Sequence, residues 1–178
     1  NIKSVGSGPN NDGLDPESCK NVLIENCYFD NGDDCIAVKS GRNNDGRRIN
    51  IPSENIVVRN CEMKDGHGGI VLGSEISGGV RNVFLENCEM DSPNLDRAIR
   101  IKTNTRRGGI IENLYVRNVN VGEVGDAVIR VNMKYDPKEN SDSSFLPVIR
   151  NINISNVKSK KSKYGVRLEG LDNSKIRD

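Results

Sequence analysis

Five segments of this chain repeat one pattern: Asn, apolar, any residue, apolar, any residue, Asn, then Cys or Val. They are NVLIENC (21–27), NIVVRNC (55–61), NVFLENC (82–88), NLYVRNV (113–119) and NINISNV (151–157). Their starts lie 34, 27, 31 and 38 residues apart, a period typical of solenoids, in which each rung buries its apolar face against its neighbours. A second apolar alternation follows in every repeat: CIAVKS, GIVLGS, AIRIKT, VIRVNM and GVRLEG. Stacking them places Ile36, Ile70, Ile99, Ile129 and Val166 in one column and Val38, Leu72, Ile101, Val131 and Leu168 in another. A period of two sends both columns to the same face, here the interior. No repeat carries a helical period, so leucine-rich and βαβ repeats do not fit. The expected fold is all-β, a right-handed parallel β-helix of about five to six rungs spaced about 4.8 Å apart. Residues 1–178 read as a single unit of it, part of a longer domain.

The repeats also account for residues that would otherwise invite chemistry. Cys27, Cys61 and Cys88 recur at one position in three rungs, as a buried stack of free thiols would. Disulfides between rungs are the alternative, although five cysteines cannot all pair internally. Asn26, Asn60, Asn87, Asn118 and Asn156 read as turn residues that bond backbone groups or one another up the stack. The 26 basic and 25 acidic residues nearly cancel, so nothing favours nucleic acid. No apolar run approaches the roughly 18 residues of a membrane span, and the first residues lack the basic start and apolar stretch of a signal peptide. A secreted or periplasmic protein would then carry its targeting segment in preceding sequence.

With the inward columns fixed, the outward ones become legible. Asp33 and Asp34 stand together ahead of one front strand, His67 aligns with Asp33 in the next repeat, and Asp12 aligns with Asp34 from the repeat before. Arg100 and Lys102 follow one rung further on. Repulsion between adjacent carboxylates raises the pKa of at least one, so such a cluster can hold an acid beside bases near neutral pH. Glycosidic hydrolysis needs that pairing, with the two carboxyl groups about 6.5–9.5 Å apart for inversion or about 5–5.5 Å for a covalent route. The cations are expected to meet an anionic substrate such as a sugar acid. Three clustered carboxylates also suit calcium, against which the neighbouring histidine and cations weigh. No CxxC or Cys/His spacing marks a transition-metal site. No cofactor is expected.

At these residues the chain resembles the polygalacturonases, family 28 of the glycoside hydrolases. Their four motifs appear in order as Asn10-Asn11-Asp12, Asp33-Asp34, Gly66-His67-Gly68 and Arg100-Ile101-Lys102, and the resemblance covers essentially the whole chain. It implies an inverting hydrolase of α-1,4-galacturonosyl linkages in pectin. In that resemblance Asp33 is the general acid, Asp12 and Asp34 hold and activate water, and His67 orients or tunes the acid. Arg100 and Lys102 then bind a galacturonate carboxylate, and Tyr135 stands beside the substrate. The chain departs from the family at Asn11, where Thr is usual, and at Met63, where fungal members have a cysteine. Cys35 is therefore expected to remain a thiol. Earlier rungs and a cap found in the family are absent here. The long segment 41–55, with Arg42, Arg47 and Arg48, resembles an insertion in bacterial members that attack chain ends. It is expected as a loop that walls off the cleft and offers its guanidinium groups to a terminal galacturonate. The rival readings are a rhamnogalacturonan hydrolase, a calcium-dependent pectate lyase, and a non-catalytic β-helix that binds acidic glycans or serves as a structural spike.

Overall fold

The structure, a computed structural model, describes residues 1–139 and 144–177. It is a right-handed parallel β-helix. Five parallel strands form the front sheet: Asp34–Val38, Gly68–Gly73, Arg97–Lys102, Ala127–Asn132 and Tyr164–Glu169. Their register pairs Ile36 with Ile70, Ile99, Ile129 and Val166, and Val38 with Leu72, Ile101, Val131 and Leu168. These are the two columns read from the repeats. A further partial rung joins through bridges from Leu14 to Ile36 and from Glu17 to Lys39.

The five repeated segments run along the strands Lys20–Glu25, Ser53–Arg59, Val80–Met90, Ile110–Glu123 and Val148–Lys161, within one eight-stranded sheet at the back, the first two segments ending just past their strands at Cys27 and Cys61. Between the sheets Phe29, Ile56, Met63, Leu85, Met90 and Leu95 are fully buried. Parallel stacking lets every rung satisfy its backbone through its neighbours, so a chain of low helix propensity needs no helices to bury a core.

Asparagine provides the bends. Asn21, Asn55, Asn82, Asn113 and Asn151 all have φ of 55–58°, and Asn26, Asn60, Asn87, Asn118 and Asn156 have φ of 49–54° or 55°. Among non-glycine residues, Asn tolerates this left-handed region best. The amides then bond up the stack: Asn55 Nδ2 donates to Asn21 Oδ1 at 3.0 Å, Asn82 to Asn55 at 3.0 Å, Asn113 to Asn82 at 2.9 Å and Asn151 to Asn113 at 3.0 Å. The second column makes the same contact from Asn118 to Asn87 and from Asn156 to Asn118.

Cys27, Cys61 and Cys88 are buried free thiols, as is Cys35, whose pKa burial pushes up to about 12. Two features differ from the sequence reading. Segment 41–55 contains a seven-residue helix, Asn43–Ile49, too short to show a period. In the last rung Val166 and Leu168 occupy the core columns yet are 58% and 55% exposed, because among the described residues no further rung stacks on them. At the opposite end Val5 and Leu23 are also exposed, but as outward-facing residues, in register with Asp30 and Val57 rather than with the core columns.

Candidate active site

The front sheet presents one cavity of about 490 Å³, lined by Asp12, Asp33, Asp34, His67, Arg100, Lys102 and Tyr135 among others. Strand register brings them together. Pairing of Asp34 with Gly68 sets Asp33 level with His67, and the Leu14–Ile36 bridge sets Asp12 level with Asp34. Pairing of Val71 with Arg100 and of Gly73 with Lys102 places both cations one rung beyond. Gly73 is the close-approach position: with φ of 111°, a Cβ there would collide with the Lys102 carbonyl oxygen, so only glycine lets the two strands meet at that point.

An oxygen of each of Asp12, Asp33 and Asp34 lies within 4.8 Å of the other two. Each carboxylate has a basic side chain beside it. His67 Nδ1 is 2.8 Å from Asp33 Oδ1. Lys102 Nζ donates to Asp34 Oδ2 at 2.7 Å, with Arg100 at 3.5 Å from the other oxygen. Lys39 Nζ lies 3.5 Å from Asp12 and 2.6 Å from Asp15. Asp34 is only 1% exposed, so burial without Lys102 and Arg100 would leave a costly bare charge. The three oxygens form a set that a cation accepts, yet four basic side chains already compensate them.

Proton affinity divides unevenly. The Asp12 pKa is raised to about 6, first by burial, then by Asp15, Asp33 and Asp34, while Lys39 pulls it down. Burial pushes Asp33 up as well, but the hydrogen bond and charge of His67, Lys102 and a backbone hydrogen bond from Asn10 outweigh it, leaving Asp33 below the usual carboxylate range. The carboxyl with raised affinity that repulsion leads one to expect is therefore Asp12. Asp33 instead lies in hydrogen-bond contact with His67.

The two cations expected to face only substrate are already engaged with Asp34. An ammonium has three donors, however, and the Tyr135 ring centroid lies 5.4 Å from Lys102 Nζ and 5.6 Å from Arg100 Cζ. Tyr135 is held there by its backbone N–H on the Thr103 carbonyl and by Asn104 on its own carbonyl. Burial pulls the Arg100 pKa down, with Asp34 among the influences that raise it again.

Arg42, Arg47 and Arg48 do not line this cavity. Arg47 donates to the carbonyls of Arg106 and Arg107 at 3.0 Å and lies 3.6 Å above the Phe145 ring. Arg48 bonds Asp45 within the helix at 2.7 Å, and Arg42 lies 3.9 Å from Glu75. The helix turned these side chains away from the place a simple loop would give them. Conversely, Lys39 and Asp15 belong to the site and were not singled out. The signal was present: Lys39 shares the outward column of Lys102, and Asp15 follows Asp12 by three residues.

Carboxylates, histidine and cations converging on one sheet of a parallel β-helix define a site suited to acid–base work on an anionic polymer. The whole chain, residues 1–178, matches Glycosyl hydrolases family 28, and it belongs to that family. It is 49% identical to the crystal structure of a hyperthermoactive exopolygalacturonase from Thermotoga maritima, with a TM-score of 0.95 over 100% of this chain and 39% of that one. A probable polygalacturonase of Vitis vinifera is 35% identical over 92% of this chain and 33% of its own length. An endo-polygalacturonase of Pectobacterium carotovorum is 30% identical over 79% and 32%. The chain thus spans about a third of the length of these relatives.

Proposed function

We propose that this site hydrolyses α-1,4 linkages between galacturonates in polygalacturonate, with inversion and without a metal. One observation supports it most: three carboxylates, each with a basic side chain beside it, share a cavity with Arg100, Lys102 and Tyr135. Asp33 is the acid. Its proton comes from the His67 pair: substrate that displaces water makes the paired charges costlier than the neutral forms, so the proton moves onto Asp33 beside the leaving oxygen. Asp12 and Asp34 hold and deprotonate the attacking water. Lys102 and Arg100 keep Asp34 in place and lend remaining donors to the galacturonate carboxylate.

Action at chain ends is the mode favoured here, because the helix Asn43–Ile49 stands behind the Ser74–Glu75 rim of the cavity. The helix is packed there through Gly46 against Gly41 and Ser77, and Arg107 donates to Asn43 Oδ1 at 2.7 Å. A secreted or periplasmic location fits this reading, because a long polygalacturonate is met outside the cytoplasm.

The test is a product profile on polygalacturonate with chelator present. Mono- or digalacturonate should appear from the start, saturated at both ends, while viscosity falls slowly. Unsaturated products would indicate a lyase, a rapid viscosity drop with mixed oligomers an open cleft, and binding without any release of reducing ends a non-catalytic glycan binder.

A further inference from the structure

Of the three carboxylates, only Asp33 has the partner that the resemblance anticipated, His67. Asp34 is held by Lys102 and Arg100, and Asp12 has a neighbour that the resemblance did not name. Lys39 leaves the end of the Asp34–Val38 strand, and its backbone is tied on three sides. Its N–H donates to the Pro16 carbonyl, and its own carbonyl accepts from Ser18 N–H and from Ser53 Oγ at 2.7 Å. Such fixation aims the side chain. Glu17, its bridge partner, is diverted to the Gly41 N–H at 3.0 Å, leaving Lys39 to reach Asp15 at 2.6 Å and Asp12 at 3.5 Å. Lys39 and Lys102 occupy the same outward column with Gly73 between them, so no side chain of that column separates the two ammonium groups. One lysine therefore bonds Asp34 at 2.7 Å and the other stands beside Asp12 at 3.5 Å.

We propose that Lys39, with Asp15 as its counter-ion, is a positioning residue for the hydrolytic reaction: it fixes the Asp12 carboxylate and governs its readiness to act as a base. Asp15 holds the ammonium nearer to itself than to Asp12, which leaves Asp12 oxygens available to water. Without Asp15, Lys39 closes onto Asp12 and weakens it as a base. Without Lys39, Asp12 faces Asp15, Asp33 and Asp34 with no nearby cation of its own. Burial draws the Lys39 pKa down, but its bond to Asp15 and the charges of Asp15, Asp12 and Glu75 outweigh that and raise it, so Lys39 stays charged over the working range.

The role in the reaction rests on the function proposed above, so the decisive readout is one that does not need turnover. Carbon-13 NMR would follow the Asp12 carboxyl through a pH titration, assigned by its loss in Asp12→Asn. In the unsubstituted protein the midpoint should lie near 6. Lys39→Met should move it up, and Asp15→Asn should move it down, each by about half a pH unit or more, while Lys39→Arg should leave it nearly unmoved. The acid limb of kcat/KM on a short galacturonide should shift in the same directions. Midpoints unchanged in both Lys39→Met and Asp15→Asn would overturn the proposal. So would shifts of equal sign, which a merely structural disturbance gives. Opposite shifts in a protein that releases no galacturonate would sustain the Asp12 assignment and defeat the hydrolase reading instead.

Discussion

Asp34 shows how a site residue can carry structure and chemistry together. It is buried, and its charge is compensated by Lys102 at 2.7 Å and Arg100 at 3.5 Å. Lys102→Ala should therefore destabilise the fold by about 3 kcal/mol, the usual cost of stranding one member of a buried pair. It should also slow turnover on methyl-esterified pectin as well as on polygalacturonate, checked by thermal melts and by parallel assays on both polymers. Loss confined to the unesterified substrate would show Lys102 to be purely a substrate ligand. Asp12 behaves in the opposite sense. Its folded pKa of about 6 exceeds the 3.8 of an ordinary aspartate, so protonation favours the folded state. That contribution is complete below about 3.8 and is lost as pH rises through 6. Asp12→Asn removes the strained charge and should raise Tm at pH 7, with the gain disappearing by about pH 4, while activity collapses. An equal gain at both pH values would mean that charge is not the cause. The residue types were legible because solenoid columns turn spacing into position. Their ion pairs were not, since side-chain partners such as Lys39 and Asp12 come from different rungs and depend on rotamers.

At the scale of elements, the strands were legible and the helix was not. A strand pattern recurs five times, and each copy corroborates the others. Asn43–Ile49 occurs once, has a single buried residue, Gly46, and starts from Arg42 without a side-chain cap, so no apolar stripe or capping box announces it. Tertiary anchors hold it instead. Arg47 supplies several: two carbonyl bonds and the face of Phe145. Arg47→Ala should speed amide exchange in 43–49 and 105–107 by an order of magnitude or more, equivalent to about 1.4 kcal/mol of local stability, and broaden the product profile toward longer oligomers. Arg48, exposed and among the described residues paired with Asp45 alone, should tolerate the same change with less than about 0.5 kcal/mol of effect. Equal exchange in the two variants would mean that the wall does not depend on Arg47.

For the molecule as a whole, register does most of the functional work. A slip of one residue in any front strand would turn Asp34 or Arg100 to the opposite face, and the apolar columns and Asn ladders oppose that slip in every rung. The fold could be read because burial, bends and period all specify the same register. The mechanism could not be read to the same depth. One oxygen from each of the three carboxylates lies within 4.8 Å of the other two, so acid and water-holding groups crowd a single spot, where the spacing of two isolated carboxyl groups does not by itself set the outcome. Inversion here then requires water held jointly by Asp12 and Asp34 on the side of the sugar away from Asp33. Proton NMR of the first-formed product from an α-linked galacturonide tests this most directly. The β-anomer should appear first and mutarotate afterwards; an α-anomer at first turnover would contradict the account and point to a covalent intermediate on one of the three aspartates.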